Sequence, residues 1–191
     1  MPIFDPLMLN LNFHPFPTLS TGRLLLRELS LEDAPEIFIQ RSHPVIQKYI
    51  KRQPAANIEE AKQFIERMLR QEKNNETITW AIVPKGEIKL IGLLCLWNIE
   101  KENQLAEVGY GLHPDHFSKG IMTEALLEVA AFGFKKIKLQ RIDAYTNKNN
   151  RASLRLLEKN GFTRNVAFEE TYPDKEELEY NTIYTLLNDK T

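Results

Sequence analysis

Between Ala106 and Gly133 the hydrophobic period of the chain changes from two residues to 3.6, and this switch restricts the fold more than any other feature. AEVGYGL (106–112) alternates as a strand does. Met122, Ala125, Leu126, Val129, Ala130 and Gly133 then recur at i, i+3, i+4, i+7, i+8 and i+11, the apolar stripe of one helix. The polar segment between them, HFSKGI, places Lys119 and Gly120 directly before the helix. A helix start exposes unpaired backbone N–H groups and about half a positive charge, so it attracts phosphate oxygens. Gly120 lets the backbone approach an anion closely, and Ser118 is placed to cap the first turn. Strand, tight loop and helix in this order suit a nucleotide-type pyrophosphate, although the same residues also suit a simple cap.

The rest of the chain reads as alternating short strands and amphipathic helices. RLLLREL (23–29) predicts a strand and 31–42 a helix, opened by Ser30 with Asp33 in its first turn. A helix near 57–72 has Asn57 as cap and Ile58, Ala61, Ile65, Met68 and Leu69 on its buried side. TITWAIVP (77–84) and KLIGLLCLW (89–97) flank Lys85-Gly86-Glu87, a hairpin signal. The 106–112 strand, a helix over 119–136, a strand over 140–146 and a helix over 150–160 follow. Strands near 162–171 and 179–187 end the chain. Antiparallel strands followed by strand–helix–strand–helix predict an α+β fold: a mixed, mostly antiparallel sheet of about seven strands, covered by helices on both faces. Residues 1–17 read as an N-terminal arm and 18–191 as a single domain.

Composition removes several function classes. A net charge of −1 lacks the basic surplus of a broad nucleic-acid footprint. No apolar run approaches the roughly eighteen residues of a membrane span, and the N-terminus has no basic start for a secretory signal. A cytoplasmic location is the expectation. The one cysteine, Cys95, has no intrachain partner and sits in an apolar run, which suits a buried structural thiol better than a nucleophile. His14, His43 and His116 show no metal-ligand spacing with each other or with Cys95, so no metal is expected. Neither G-x-x-x-x-G-K-[ST] nor G-x-G-x-x-G occurs, which argues against a nucleotide-dependent kinase or dehydrogenase.

About thirty residues beyond the 116–125 loop lies NKNNRASLRLLEKNGF (147–162). Together the two segments resemble the GNAT acetyltransferase superfamily, and within it the RimJ/RimL-type branch. The family's pyrophosphate loop, Q/R-x-x-G-x-G/A, reads here Phe117-Ser118-Lys119-Gly120-Ile121-Met122. The central glycine matches, and the first and last positions depart from the pattern. The family's N-x-x-S, with a helix ending in G-F, appears as Asn150, Ser153, Gly161 and Phe162, and TGRLLLRELSLEDAPEIF (21–38) looks like the branch's first strand and helix. The resemblance spans roughly residues 18–187. It implies acetyl-CoA as cosubstrate, held by Phe117, Ser118, Lys119, Gly120, Ile121, Met122 and Thr123 at its pyrophosphate. It further implies that Asn150 bonds the pantetheine arm, that the backbone of Leu112 and His113 pairs with that arm, and that Ser153 lies near the thioester sulfur. Many superfamily members carry a tyrosine one turn further along, where this chain has Leu156 and Leu157.

Acetyl transfer requires a deprotonated amine, a stabilised oxyanion and a tolerated thiolate. A Lys-type amine costs about 4–5 kcal/mol to deprotonate at pH 7 and an α-amine only about 1. Glu107 is the first base candidate: alternation puts it with Gly109, Gly111 and His113 on one strand face, where the glycines would leave room above it. A solvated strand carboxylate or a salt bridge is the alternative. Glu170 is the second candidate, since related enzymes bring an acid from this region, with a surface charge as its alternative. Ser153 is the acid candidate for the thiolate; the alternative is that Asn150 and Ser153 only cap their helix. The acceptor is expected to be an amine, on a protein N-terminus or a small molecule, and a homodimer is left open. The competing reading is a non-catalytic acyl-CoA-binding sensor, kept alive by Phe117 and Met122.

Overall fold

The computed structural model describes residues 9–188, which build one eight-stranded sheet. The strands are β1 (Leu19–Ser20), β2 (Leu24–Arg27), β3 (Ile78–Pro84), β4 (Gly92–Glu100), β5 (Leu105–Leu112), β6 (Arg141–Asn147), β7 (Thr163–Arg164) and β8 (Asn181–Leu187). The helices are α1 (Ala34–Ser42), α2 (Pro44–Gln47), α3 (Ile58–Lys73), α4 (Ile121–Phe132), α5 (Arg151–Lys159), α6 (Val166–Thr171) and α7 (Lys175–Tyr180). Across the sheet the order is β1-β2-β3-β4-β5-β6-β8-β7, and every pairing except β5–β6 is antiparallel.

The two faces of the sheet carry separate cores because side chains alternate along each strand. Trp80, Ile82, Leu94, Leu96, Ala106 and Val108 pack with Ala125, Leu126 and Val129 of α4 and Leu157 of α5. On the opposite face Ala81, Val83 and Leu90 meet Ala34 and Ile37 of α1 and Ala61 and Ile65 of α3. The α3 start is capped as its sequence predicts, with Asn57 Oδ1 accepting the Glu60 N–H at 3.0 Å. Phe13 is fully buried in the first core, and the Pro17 carbonyl accepts the Trp80 Nε1–H at 2.8 Å. Residues 9–17 therefore pack along the domain; residues 1–8 lie outside the described residues.

Three local expectations are corrected. The expected 162–171 strand stops after Arg164, because Asn165 Oδ1 accepts the Phe168 N–H at 3.1 Å and starts α6 instead. The expected helix 119–136 begins at Ile121 and changes at Gly133 to a wider π turn ending at Ile137. Leu139 and Ile142 pack there so tightly that a Cβ on Gly133 would lie 3.1 Å from Leu139 Cδ1. The expected strand 89–97 runs over Gly92–Glu100, with Leu90 turned into the α1–α3 core.

The feature that shapes the site is the junction of β5 and β6. They pair in parallel only at Leu105↔Arg141, Ala106↔Ile142 and Glu107↔Asp143. Beyond that point β5 stays bonded to β4 and β6 stays bonded to β8, so the two halves of the sheet separate. Right-handed strand twist carries the two halves apart once no ladder joins them.

Candidate active site

The gap between β5 and β6 has an unpaired backbone edge. The His113 N–H donates to the Ile91 carbonyl at 2.8 Å, and the β4–β5 register then makes Gly111, Gly109 and Glu107 the bonded positions toward β4. The Glu107↔Asp143 pair takes up the Val108 N–H, so the Val108 C=O and the N–H and C=O groups of Tyr110 and Leu112 face the gap, past that last pair. The backbone of His113 makes two bonds within the protein, its N–H to Ile91 and its carbonyl from the His116 N–H. Leu112 remains on the gap side.

Behind this edge the 117–123 loop ends in α4. Gly120 is the N-cap residue at φ +74°, a left-handed conformation that glycine adopts without a Cβ penalty. Ser118 is also left-handed, at φ +60°, and does not cap the helix; among the described residues no side chain caps the first turn of α4. The N–H groups at the start of α4 therefore stay available to an anion. Ile121 and Met122 turn inward into the main core, so Met122 fills protein interior rather than the outer loop surface. Phe117, Ser118 and Lys119 are exposed, and Thr123 is half-buried.

Sequence reasoning missed Arg23. Its Nη1 donates to the Lys119 carbonyl at 3.0 Å, and Nη2 would lie 3.5 Å from a Cβ on Gly120. Glu124 in the first turn of α4 holds this arginine through Nε at 2.7 Å and also accepts the Arg23 N–H and the Thr21 hydroxyl. Arg23 lies some hundred residues before the loop, and only the β2–α4 packing joins them; no local signal marks it.

Glu107 occupies the branch point. It is buried, and its Oε1 accepts from Asn98 Nδ2 at 2.6 Å. Burial raises its pKa, the Asn98 bond opposes that rise, and the neighbouring Asp143 charge adds to it. Asp143 is itself paired, accepting from Arg141 Nε at 2.9 Å and from Thr185 Oγ1 at 2.6 Å. The salt bridge weighed for Glu107 is absent among the described residues, and Arg141 serves Asp143 instead. The room expected above Gly109 and Gly111 is filled: added Cβ atoms would meet Cys95 Sγ at 2.9 Å and Gln40 Nε2 at 2.7 Å. The half-buried Cys95 thiol is pushed up to about 12, chiefly by burial, which leaves it protonated at neutral pH.

On the opposite lip Asn150 does cap α5, its Oδ1 accepting the Ser153 N–H at 3.2 Å. The Ser153 hydroxyl is buried and bonds outward, to Thr146 of β6 and Tyr110 of β5, both at 2.7 Å. Glu170 lies exposed on α6. Its neighbour Glu169 points inward to Thr182 Oγ1 (2.5 Å), the Ile183 N–H (2.8 Å) and Arg164. These bonds hold Glu169 down at about 2 against the opposing effect of burial. The structure thus joins Tyr110, Ser153 and Thr146 across the gap, sets Glu107 at its closed end, and leaves Glu170 on a surface helix. Among the described residues no group of three or more His, Cys, Asp or Glu side chains is placed to hold a metal ion. No helix among them is long and apolar enough to cross a membrane.

A sheet split beside a helix that opens with a glycine cap is the architecture of an acetyltransferase, and the chain belongs to the GNAT acetyltransferase family, whose domain model matches residues 23–163. It is 32% identical over 149 residues to the uncharacterized N-acetyltransferase YoaA of Bacillus subtilis, covering 78% of this chain and 84% of that one. A GNAT-family acetyltransferase from Bacillus anthracis superposes with a TM-score of 0.74 at 25% identity, covering 90% and 98% of the two chains. RimL, a ribosomal L7/L12 α-N-protein acetyltransferase solved with coenzyme A, shares the fold with a TM-score of 0.76 at 18% identity, over 92% and 100%.

Proposed function

We propose that the protein transfers an acetyl group from acetyl-CoA to a primary amine, by direct attack of the amine on the thioester held between β5 and β6. The observation that carries this reading is the unpaired β5 edge from the Val108 carbonyl to Leu112, opening beside the start of α4, where no side chain caps the first turn, and opposite Asn150 and Ser153. Two parts of the cosubstrate find suitable groups among the described residues. The α4 N–H groups, Gly120 and the cations Lys119 and Arg23 suit the pyrophosphate. The free β5 edge suits the amide-bearing pantetheine arm as an added strand would, and Asn150, whose Oδ1 caps α5, has its Nδ2 donors for the same arm.

When bound, acetyl-CoA supplies the activated acyl carbon. The protein's residues do the rest. Glu107, buried and held above the usual carboxylate range, receives the proton of the incoming ammonium and leaves a nucleophilic amine. N–H groups of the β5 edge stabilise the carbonyl oxygen as charge builds on it. The amine nitrogen bonds to the acyl carbon and gives up its second proton to Glu107, which has passed the first to solvent; the C–S bond breaks with its electron pair passing to sulfur, and the Ser153 hydroxyl donates a hydrogen bond to that sulfur. Glu170 lies exposed on α6, and no step of this reading runs through it.

The acceptor is an amine of a small molecule or of a protein N-terminus. The resemblance to ribosomal-protein acetyltransferases supports the second. The test is release of free CoA from acetyl-CoA in the presence of polyamines, amino acids, aminoglycosides and N-terminal peptides. Release dependent on one amine class establishes the enzyme and its acceptor. Saturable acetyl-CoA binding without release under any amine overturns it in favour of a non-catalytic acyl-CoA sensor.

A further inference from the structure

The hydroxyls of Tyr110, Ser153 and Thr146 come from β5, α5 and β6, and they meet across the gap. Thr146 Oγ1 donates its proton to Ser153 Oγ at 2.7 Å. Between Tyr110 Oη and Ser153 Oγ, also 2.7 Å apart, either atom can be the donor. Three hydroxyls carry three protons, and two protein–protein bonds consume two of them. One proton is left, on Ser153 if Tyr110 donates and on Tyr110 if Ser153 donates. Neither side-chain hydroxyl makes another hydrogen bond among the described residues, so that spare proton has no protein acceptor there. A buried hydroxyl proton without an acceptor is costly, unless a ligand atom completes it.

We propose that Tyr110 and Thr146 are positioning residues which, by both donating to Ser153, commit the Ser153 proton to the sulfur of the departing thiolate. This rests on the acetyl-CoA reading above. The array lends a hydrogen bond and keeps its protons. The Tyr110 phenol is pushed up to about 12, chiefly by burial, so no phenolate forms near neutral pH. The C–S electron pair stays on sulfur as a hydrogen-bonded thiolate. The ammonium loses two protons in becoming an amide: the first leaves through Glu107 to solvent, and the second passes from the newly bonded nitrogen through the re-ionised Glu107 and neutralises the thiolate, so atoms and charge balance.

The test reads the thiol of bound coenzyme A. The ultraviolet absorbance of the thiolate in the protein–CoA complex is titrated against pH, with the desulfo-CoA complex subtracted to remove the protein's own tyrosines. In the wild-type complex the thiol should titrate at least one unit below free CoA. Tyr110→Phe and Thr146→Val should each raise it by about half a unit to one unit, and Ser153→Ala should return it to the free value. CoA affinity should change less than threefold in each. Tight CoA binding with the same thiol pKa in wild type and Tyr110→Phe would overturn this proposal and leave the acetyltransferase reading standing. Absence of CoA binding by the folded wild-type protein would overturn both. Thr146→Val keeps the side-chain shape and guards against a folding defect in the tyrosine variant.

Discussion

Glu107 and Asp143 face each other at the last bonded position between β5 and β6. One carboxyl is tied to Asn98 and the other to Arg141 and Thr185, so the two acids share a boundary without sharing a cation. That arrangement marks where the sheet opens. It also leaves Glu107 as the carboxyl whose burial is offset only by a neutral amide.

Glu107→Gln should depress turnover on the order of 100-fold at neutral pH. The direction of the pH effect follows from the raised pKa. The carboxylate acts as base only when ionised, so wild-type turnover should climb as pH rises through that pKa. The variant lacks this limb and approaches the wild type as the amine begins to lose its proton unaided. The ratio of the two pH–rate profiles of CoA release checks it, and a constant ratio excludes Glu107 as the base.

Gly120→Glu should abolish acetyl-CoA binding in calorimetry. Any non-glycine residue at φ +74° costs about 1 kcal/mol, and this one adds bulk and like charge where the pyrophosphate is to sit. Arg23→Ala should weaken binding about tenfold, the scale of one charge-assisted hydrogen bond, because it releases both the Lys119 carbonyl and Glu124.

Glu72 is buried, and its pKa is raised to about 7, first by burial and then by Glu28, with His14 Nδ1 3.9 Å away acting in the opposite direction. A folded-state value of about 7 against an ordinary 4.5 means that the native state binds the extra proton between those values. Stability should therefore fall as pH rises from about 4.5 to 7, by an amount on the order of 1–3 kcal/mol. Glu72→Gln should flatten that slope in urea unfolding series and be the more stable protein at pH 8.

Phe13→Ala should destabilise the protein by about 3–5 kcal/mol, the cost of emptying a fully buried aromatic site. A shift in the urea midpoint without a change in slope is the expected record. Near-zero loss would mean that the segment before β1 rests on the domain without contributing to its interior.

Local patterning made most of the elements legible. The change of period at 106–133, the Asn57 cap and the Lys85-Gly86-Glu87 turn all report on neighbours within a few residues. The strand expected over 162–171 failed on the same scale, because one Asn165 side chain started a helix in an otherwise mixed run.

What the sequence by itself determined is the set of elements, their order and the residues carried by one loop and one helix, since periodicity, caps and turns are short-range properties of the chain. What only the tertiary structure decided is which groups remain unpaired and which meet across a distance. The divergence of β5 from β6 depends on how each strand is bonded on its far side. The meeting of Arg23 with Lys119, and of Tyr110 with Ser153, depends on packing between segments dozens of residues apart. Hydrogen-bond partners are assigned by competition in three dimensions, and no spacing along the chain records the outcome of that competition.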